Sequence, residues 1–293
     1  MYCIYTDREI TQEDSNEEHI IPLSLGGSSA FTIRVDKEFH TKVASHIDGT
    51  LSNDFVINMA RSKRSVRGHS KKTPKMIWKK SCLNSDPTQP IQVTFPPDLT
   101  ENVKIWDPKG RKYLPREQTC GATLQSGFIL DRFVRVKFAS KVALGAGYFT
   151  YGDLFRQHIE HSSLRAVLTT DFSMVNAKHL KSINLGVSDA FTPIQEKDKG
   201  LTCMFKAMCK MLDTCVLFLL CTENLVITVG ILGEWIATLS VPGRTACLPN
   251  GGDYDLGHII SISSRAVTRR AFRDTTELLA KTLNKKAVNG EAG

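Results

Sequence analysis

The 293-residue chain has no apolar run of the about 18 residues that a membrane-spanning helix requires. The nearest, 215–221 followed by 225–232, is interrupted by Thr222, Glu223 and Asn224. The first residues, Met1-Tyr2-Cys3-Ile4-Tyr5-Thr6-Asp7, lack the basic and apolar regions of a secretory signal. No membrane partner is expected. A cytoplasmic setting with reduced thiols is. No CxxC pair occurs among the eight cysteines, so no structural zinc of the paired-knuckle kind is expected. Cys203, Cys209, Cys215 and Cys221 recur every six residues and read as small core hydrophobes. Acidic residues are absent from 61–80.

Hydrophobic residues make up 41% and charged residues 23%, a balance that builds a packed core. The length suits two ordinary domains or one large one. The formal charge of +8 and the pI of about 9.0 favour an anionic partner, a nucleic acid or an anionic membrane surface.

Residues 1–61 read as a self-contained module in the order strand, loop, strand, helix. Strands are expected at 2–5 and 31–35, with a second apolar run at 19–25 that Gly26-Gly27 closes. Phe39, Val43, Ile47 and Leu51 then recur at helical spacing, with Asp36 placed as N-cap. Segment 62–84 belongs to a basic run. Arg61, Lys63, Arg64, Arg67, Lys71, Lys72, Lys75, Lys79 and Lys80 stand there without an acid. Unopposed Lys and Arg are the simplest phosphate contacts, so the run reads as a nucleic-acid-contacting arm; the other reading is a solvated linker. Trp78 and His69 lie in it as base-stacking platforms or as structural residues.

Six of the eleven prolines fall in 84–118, which reads as linker and irregular turns with a domain boundary near residue 85. Beyond it, 85–283 reads as a mixed α/β domain whose fold the sequence does not name. Strands are expected at 128–139 and 225–232, and helices at 151–161, 201–212 and 266–283. Residues 142–147 read as a small-residue turn or helix start, and Gly145-Ala146-Gly147 is too short for a phosphate loop. Arg265, Arg269, Arg270 and Arg273 add charge to the last helix, and 284–293 reads as a frayed tail.

The most specific stretch is Glu17-Glu18-His19-Ile20-Ile21-Pro22-Leu23-Ser24-Leu25-Gly26-Gly27. Neighbours in a strand point to opposite sides, so Glu18 and His19 divide two tasks between them. One holds a metal while the other faces a water or a phosphate, as metal-assisted phosphodiester hydrolysis requires.

With Glu18-His19-Ile20-Ile21-Pro22, Leu25-Gly26-Gly27, His40, Ile47-Asp48 and Asn53-Asp54-Phe55, residues 1–61 resemble the HNH endonucleases. The resemblance implies an α+β chain, a ββα-metal finger followed by the mixed α/β domain. It implies that Glu18 and His40 hold one divalent cation, Mg²⁺ first and Mn²⁺ next, and that His19 is the general base. His46 and Asp48 would stand behind them. The family's middle asparagine is replaced here by Phe31 or Thr32, of which Thr32 offers a hydroxyl. The family's zinc cysteines are missing apart from Cys3, so Tyr2, Ile4, Ile21, Phe31, Phe39, Val43 and Ile47 are expected to hold the finger by packing. The function implied is a DNA endonuclease, by layout a prokaryotic restriction or defence type, with a homodimer needed to cut both strands at once. Two alternatives stay open: a nucleic-acid-binding or regulatory protein with an inactive finger, and an effector nuclease gated by a ligand.

Overall fold

The computed structural model describes residues 1–68, 71, 75–96, 103–171, 177–263 and 266–288, without the side chains of 177 and 286–288. The fold is mixed α and β, with several small sheets and one larger one. Among the described residues no helix is long and apolar enough to cross a membrane. His69, Lys72, Arg265 and 289–293 lie outside the described residues.

Two compact units make up the chain: Met1–Ser52 with Arg132–Gly293, and Asn53–Asp131. The second is thus an insertion into the first, and the boundaries fall at 52/53 and 131/132 rather than near 61 and 85.

The first unit begins with two antiparallel strand pairs. Tyr2–Cys3 pairs Arg8–Glu9, and Ser15–His19 pairs Thr32–Asp36 with His19 opposite Thr32. Between the latter two, Leu23–Leu25 makes a single 3₁₀ turn that Gly26 caps at φ +83°. A Cβ on Gly27 would fall 1.7 Å from the Ile21 carbonyl oxygen, so Gly26-Gly27 is required by backbone geometry alone. Asp36 caps the following helix by accepting from Phe39 N at 2.8 Å. That helix runs over 37–52 with a π-helical segment, His40–Ala44. The extra residue of the π turn shifts the buried stripe from Phe39, Val43, Ile47 and Leu51 to Phe39, Ala44, Ile47 and Leu51.

The centre of this unit is the helix Arg132–Tyr151, buried continuously from Val134 to Gly147. Residues 128–139, expected as a strand, mostly belong to it. Phe133–Phe138 alternates apolar and basic as a half-buried strand does, but this helix is covered all round and shows no polar face. Gly145 brings it against the N-terminal segment, since a Cβ there would lie 2.9 Å from the Tyr5 hydroxyl and 3.1 Å from Ile20.

A six-stranded antiparallel sheet packs on it, in the order Gly186–Ser188, Glu234–Pro242, Asn224–Ile231, Thr214–Leu220, Gly257–Ile262, Val267–Ala271. Strand side chains alternate between faces. Cys215 and Leu217 meet Phe205, Met208 and Cys209 of helix Lys199–Leu212 and Phe272 and Leu279 of helix Phe272–Val288, while Phe218 touches Tyr151. Residues 266–283 were expected as one helix. Val267–Ala271 is instead the edge strand, and the helix begins at Phe272 and continues to Val288. Cys209 and Cys215 are core residues, whereas Cys203 is exposed and Cys221 half-buried; all eight cysteines are free.

The second unit holds a five-stranded antiparallel sheet in the order Lys112–Tyr113, Lys104–Asp107, Asp86–Phe95, Met76–Leu83, Leu124–Ser126. Its core is Leu83, Ile91, Val93 and Ile105. The expected linker at 84–118 therefore contains three of the sheet's strands among its described residues. Its prolines fit because Pro87 and Pro90 are in the far end of Asp86–Phe95, beyond its pairing with Lys104–Asp107, and Pro115 precedes a short helix. Helix Phe55–Lys63 starts at Asp54, which accepts from Val56 N and Ile57 N.

Candidate functional site

Strand Ser15–His19 and the helical segment 37–52 bring together residues distant in sequence. Glu18 is 2% exposed, and its Oε2 is in hydrogen-bond contact with His40 Nδ1 at the start of the π turn. The other carboxylate oxygen, Oε1, lies 2.5 Å from Lys141 Nζ, which reaches in from the central helix with no exposure. Lys141 also donates to Asp48 Oδ2 and Oδ1 at 2.7 and 2.8 Å and to the His19 carbonyl at 3.4 Å.

The four charges control one another. Burial works to raise the Glu18 carboxyl, but the Lys141 ammonium and the His40 hydrogen bond hold it below the ordinary glutamate value. The bond to Glu18 raises the His40 imidazole. Burial would lower the Lys141 ammonium, but Asp48 and Glu18 outweigh it and keep it charged. Burial pushes Asp48 up to about 6, against the pull of Lys141. Two carboxylates thus face one permanent cation, which leaves one negative charge for a second. The Tyr5 hydroxyl, 1% exposed and without a hydrogen-bond partner, feels Glu18 and Asp48; burial is the larger reason that it stays protonated.

Glu18 Oε2 and His40 Nδ1 are bonded directly to each other, so in this arrangement each fills the position through which the other would bind a cation. A cation that took both atoms and filled its other positions with water and phosphate, as Mg²⁺ does, would have to displace that hydrogen bond. The donor set does not fit a closed site. Among the described residues no group of three or more His, Cys, Asp and Glu is placed to hold a metal.

The remaining expected residues are distributed as follows. His19 is half-buried at the end of its strand, next to Glu18 in sequence and so on the other face. The Thr32 hydroxyl donates to Glu17 Oε1 at 2.8 Å rather than bracing His19, although the two are cross-strand neighbours. His46 is exposed on helix Ser45–Ser52, whereas Asp48 of the same helix belongs to the cluster through Lys141. Arg61 is half-buried in the second unit, and burial lowers its pKa. Lys63, Arg64, Arg67, Lys71 and Lys75 are exposed there. Lys141 escaped the sequence reading because a lysine between apolar residues looks like the solvent side of an amphipathic element. Compared with known protein families, with curated proteins and with solved structures, the chain matches none.

Proposed function

We propose that the chain is a metal-dependent nuclease of the HNH type, acting on phosphodiester bonds of DNA. The observation that carries this reading is the meeting of the Glu18 carboxylate and the His40 imidazole, 22 residues apart, between a strand pair and a helix. Glu18 and His40 would hold the cation on giving up their mutual hydrogen bond, and the cation would supply charge stabilisation to the phosphate and the leaving oxygen. Lys141 fixes the second oxygen of Glu18, so the carboxylate presents one oxygen in one orientation. His19 takes the proton of the attacking water, work suited to an imidazole whose ordinary pKa is about 6.5. The layout, a small strand–strand–helix module in a larger chain, is by analogy that of prokaryotic restriction and defence nucleases.

One observation favours a second reading, a nucleic-acid-binding protein with an inactive finger: Lys141 already supplies a cation to both carboxylates. Supercoiled plasmid with Mg²⁺ or Mn²⁺ separates the two. The intact chain is expected to nick it, and His19→Ala to lose about 10²- to 10⁴-fold in rate. Calorimetry should show Mn²⁺ binding that Glu18→Gln abolishes. An intact chain inert with every divalent metal leaves the binder.

A further inference from the structure

We infer that the cleft between helix Phe55–Lys63 and strand Met76–Leu83 of the second unit is a seat for an unpaired nucleobase. The cleft measures about 270 Å³ and is lined by Phe55, Asn58, Trp78, Lys79, Lys80 and Phe128, among others. Phe55 and Phe128 are stacked with centroids 3.6 Å apart, and Trp78 stands edge-on to Phe128 at 5.1 Å. Phe128 remains 40% exposed, with Ile129 beside it at 81%. An aromatic left open to water at such a rim offers a flat face for a second ring.

Two further observations select the occupant. The Trp78 indole nitrogen, a donor, and the Asn58 side-chain oxygen, an acceptor, are both buried without a hydrogen-bond partner. Buried polar atoms are rarely left so, and two on residues that line one cleft match a ligand whose edge carries both acceptors and donors, once the side chains turn to meet it. Asn53–Asp131 also carries fourteen Lys and Arg against seven Asp and Glu, a formal +7 of the chain's +8. Lys79 and Lys80 are exposed at the cleft. A flat ring with a polar edge, attached to phosphate, satisfies all three features. The base must be unpaired, because pairing and stacking in a duplex cover the edge and faces that the cleft would hold.

This inference deepens the nuclease reading by assigning a nucleic-acid partner, but it requires no cleavage, so its test is run in EDTA. Anisotropy of labelled oligothymidylate and of an abasic strand of equal length compares the same phosphates with and without bases. The intact chain is expected to prefer the thymidylate roughly tenfold or more, with quenching of tryptophan fluorescence. Phe128→Leu, which keeps apolar volume and removes the flat ring, should lose the preference and keep the abasic affinity; Phe128→Ala should do the same. Oligouridylate reports which sugar is taken, and a base preference in either form supports the seat. Equal affinity for based and abasic strands in both forms overturns it, as does a preference that survives in Phe128→Leu. Failure here leaves the Glu18–His40 chemistry standing, and a failed plasmid assay leaves this result standing.

Discussion

The two units handle charge in opposite ways. Asn53–Asp131 holds a formal +7, and among its described residues Asp107 is the buried charged side chain. The remainder of the chain carries twenty-four Lys and Arg against twenty-three Asp and Glu. It buries Glu18, Asp36, Arg135, Lys137, Lys141 and Asp189. One unit turns its charge outward, where its field reaches about a Debye length into solvent. The other turns charge inward, where low dielectric strengthens each pair and makes a lost partner expensive. Outward charge and buried ion pairs are thereby assigned to separate parts of one chain.

The largest blow to this division is Lys141→Met. It leaves Glu18 and Asp48 facing each other without their ammonium, and breaking a buried pair in this way costs about 3–5 kcal/mol. Urea unfolding followed by Trp235 in the first unit should move to much lower denaturant, while Trp78 and Trp106 report a second unit that keeps its midpoint. Adding Asp48→Asn should recover part of the loss. An unchanged midpoint for Lys141→Met would mean that water solvates these groups.

A smaller effect sharpens the other half of the comparison. Replacing Lys63, Lys71 and Lys75 with Gln should weaken binding to all DNA sequences alike and flatten the salt dependence by up to about three phosphate contacts. The same three substitutions should leave the urea midpoint of the first unit in place. An unchanged salt slope would remove these exposed lysines from the interface.

The smallest effect is a pH dependence confined to the first unit. Burial lowers the pKa of His161 and of His258; Arg165 and Arg269 respectively lower them further. Arg269 Nε donates to His258 Nδ1 at 2.7 Å, His258 Nε2 meets the Pro249 carbonyl at 2.8 Å, and Tyr254 and Tyr151 pack against its ring. A depressed histidine takes its proton more readily unfolded than folded. Its contribution is therefore complete above its unfolded pKa, about 6.5, and is lost as pH falls below that toward the folded value. His258's share of the first unit's urea midpoint should thus fall between pH 7.5 and pH 5, while Asp48 and His40, both raised, work the other way over the same window. His258→Gln should remove that share, and a pH dependence unchanged in the variant would acquit His258.

Some of this architecture was open to reading from residue order. The Asp36 cap, helix Lys199–Leu212 and strand Asn224–Ile231 follow from local chemistry and one-sided burial. So does the packing of Tyr2, Ile4, Ile21, Phe31, Phe39 and Ile47, all buried, whereas the π turn leaves Val43 half-exposed. The central helix was not readable, because periodicity needs a polar face and this helix has none. Strand Asp86–Phe95 was hidden by prolines that local rules treat as breaks. At the site, adjacency drew attention to Glu18 and His19, and the resemblance to HNH endonucleases drew attention to His40; the structure brings Glu18 and His40 into contact. Lys141 is a tertiary fact: only after the chain has folded back does position 141 lie beside positions 18 and 48.

That arrangement sets an order of events during synthesis. Asp48 leaves the ribosome 93 residues ahead of Lys141, and the whole basic insertion is translated in between. Until the ammonium arrives, Glu18 has only the His40 imidazole as a partner, and both carboxylates lack the cation that joins them. A nascent chain therefore exposes its basic insertion before the buried cluster around Glu18 can close, which delays that closure until position 141 of 293 has been made.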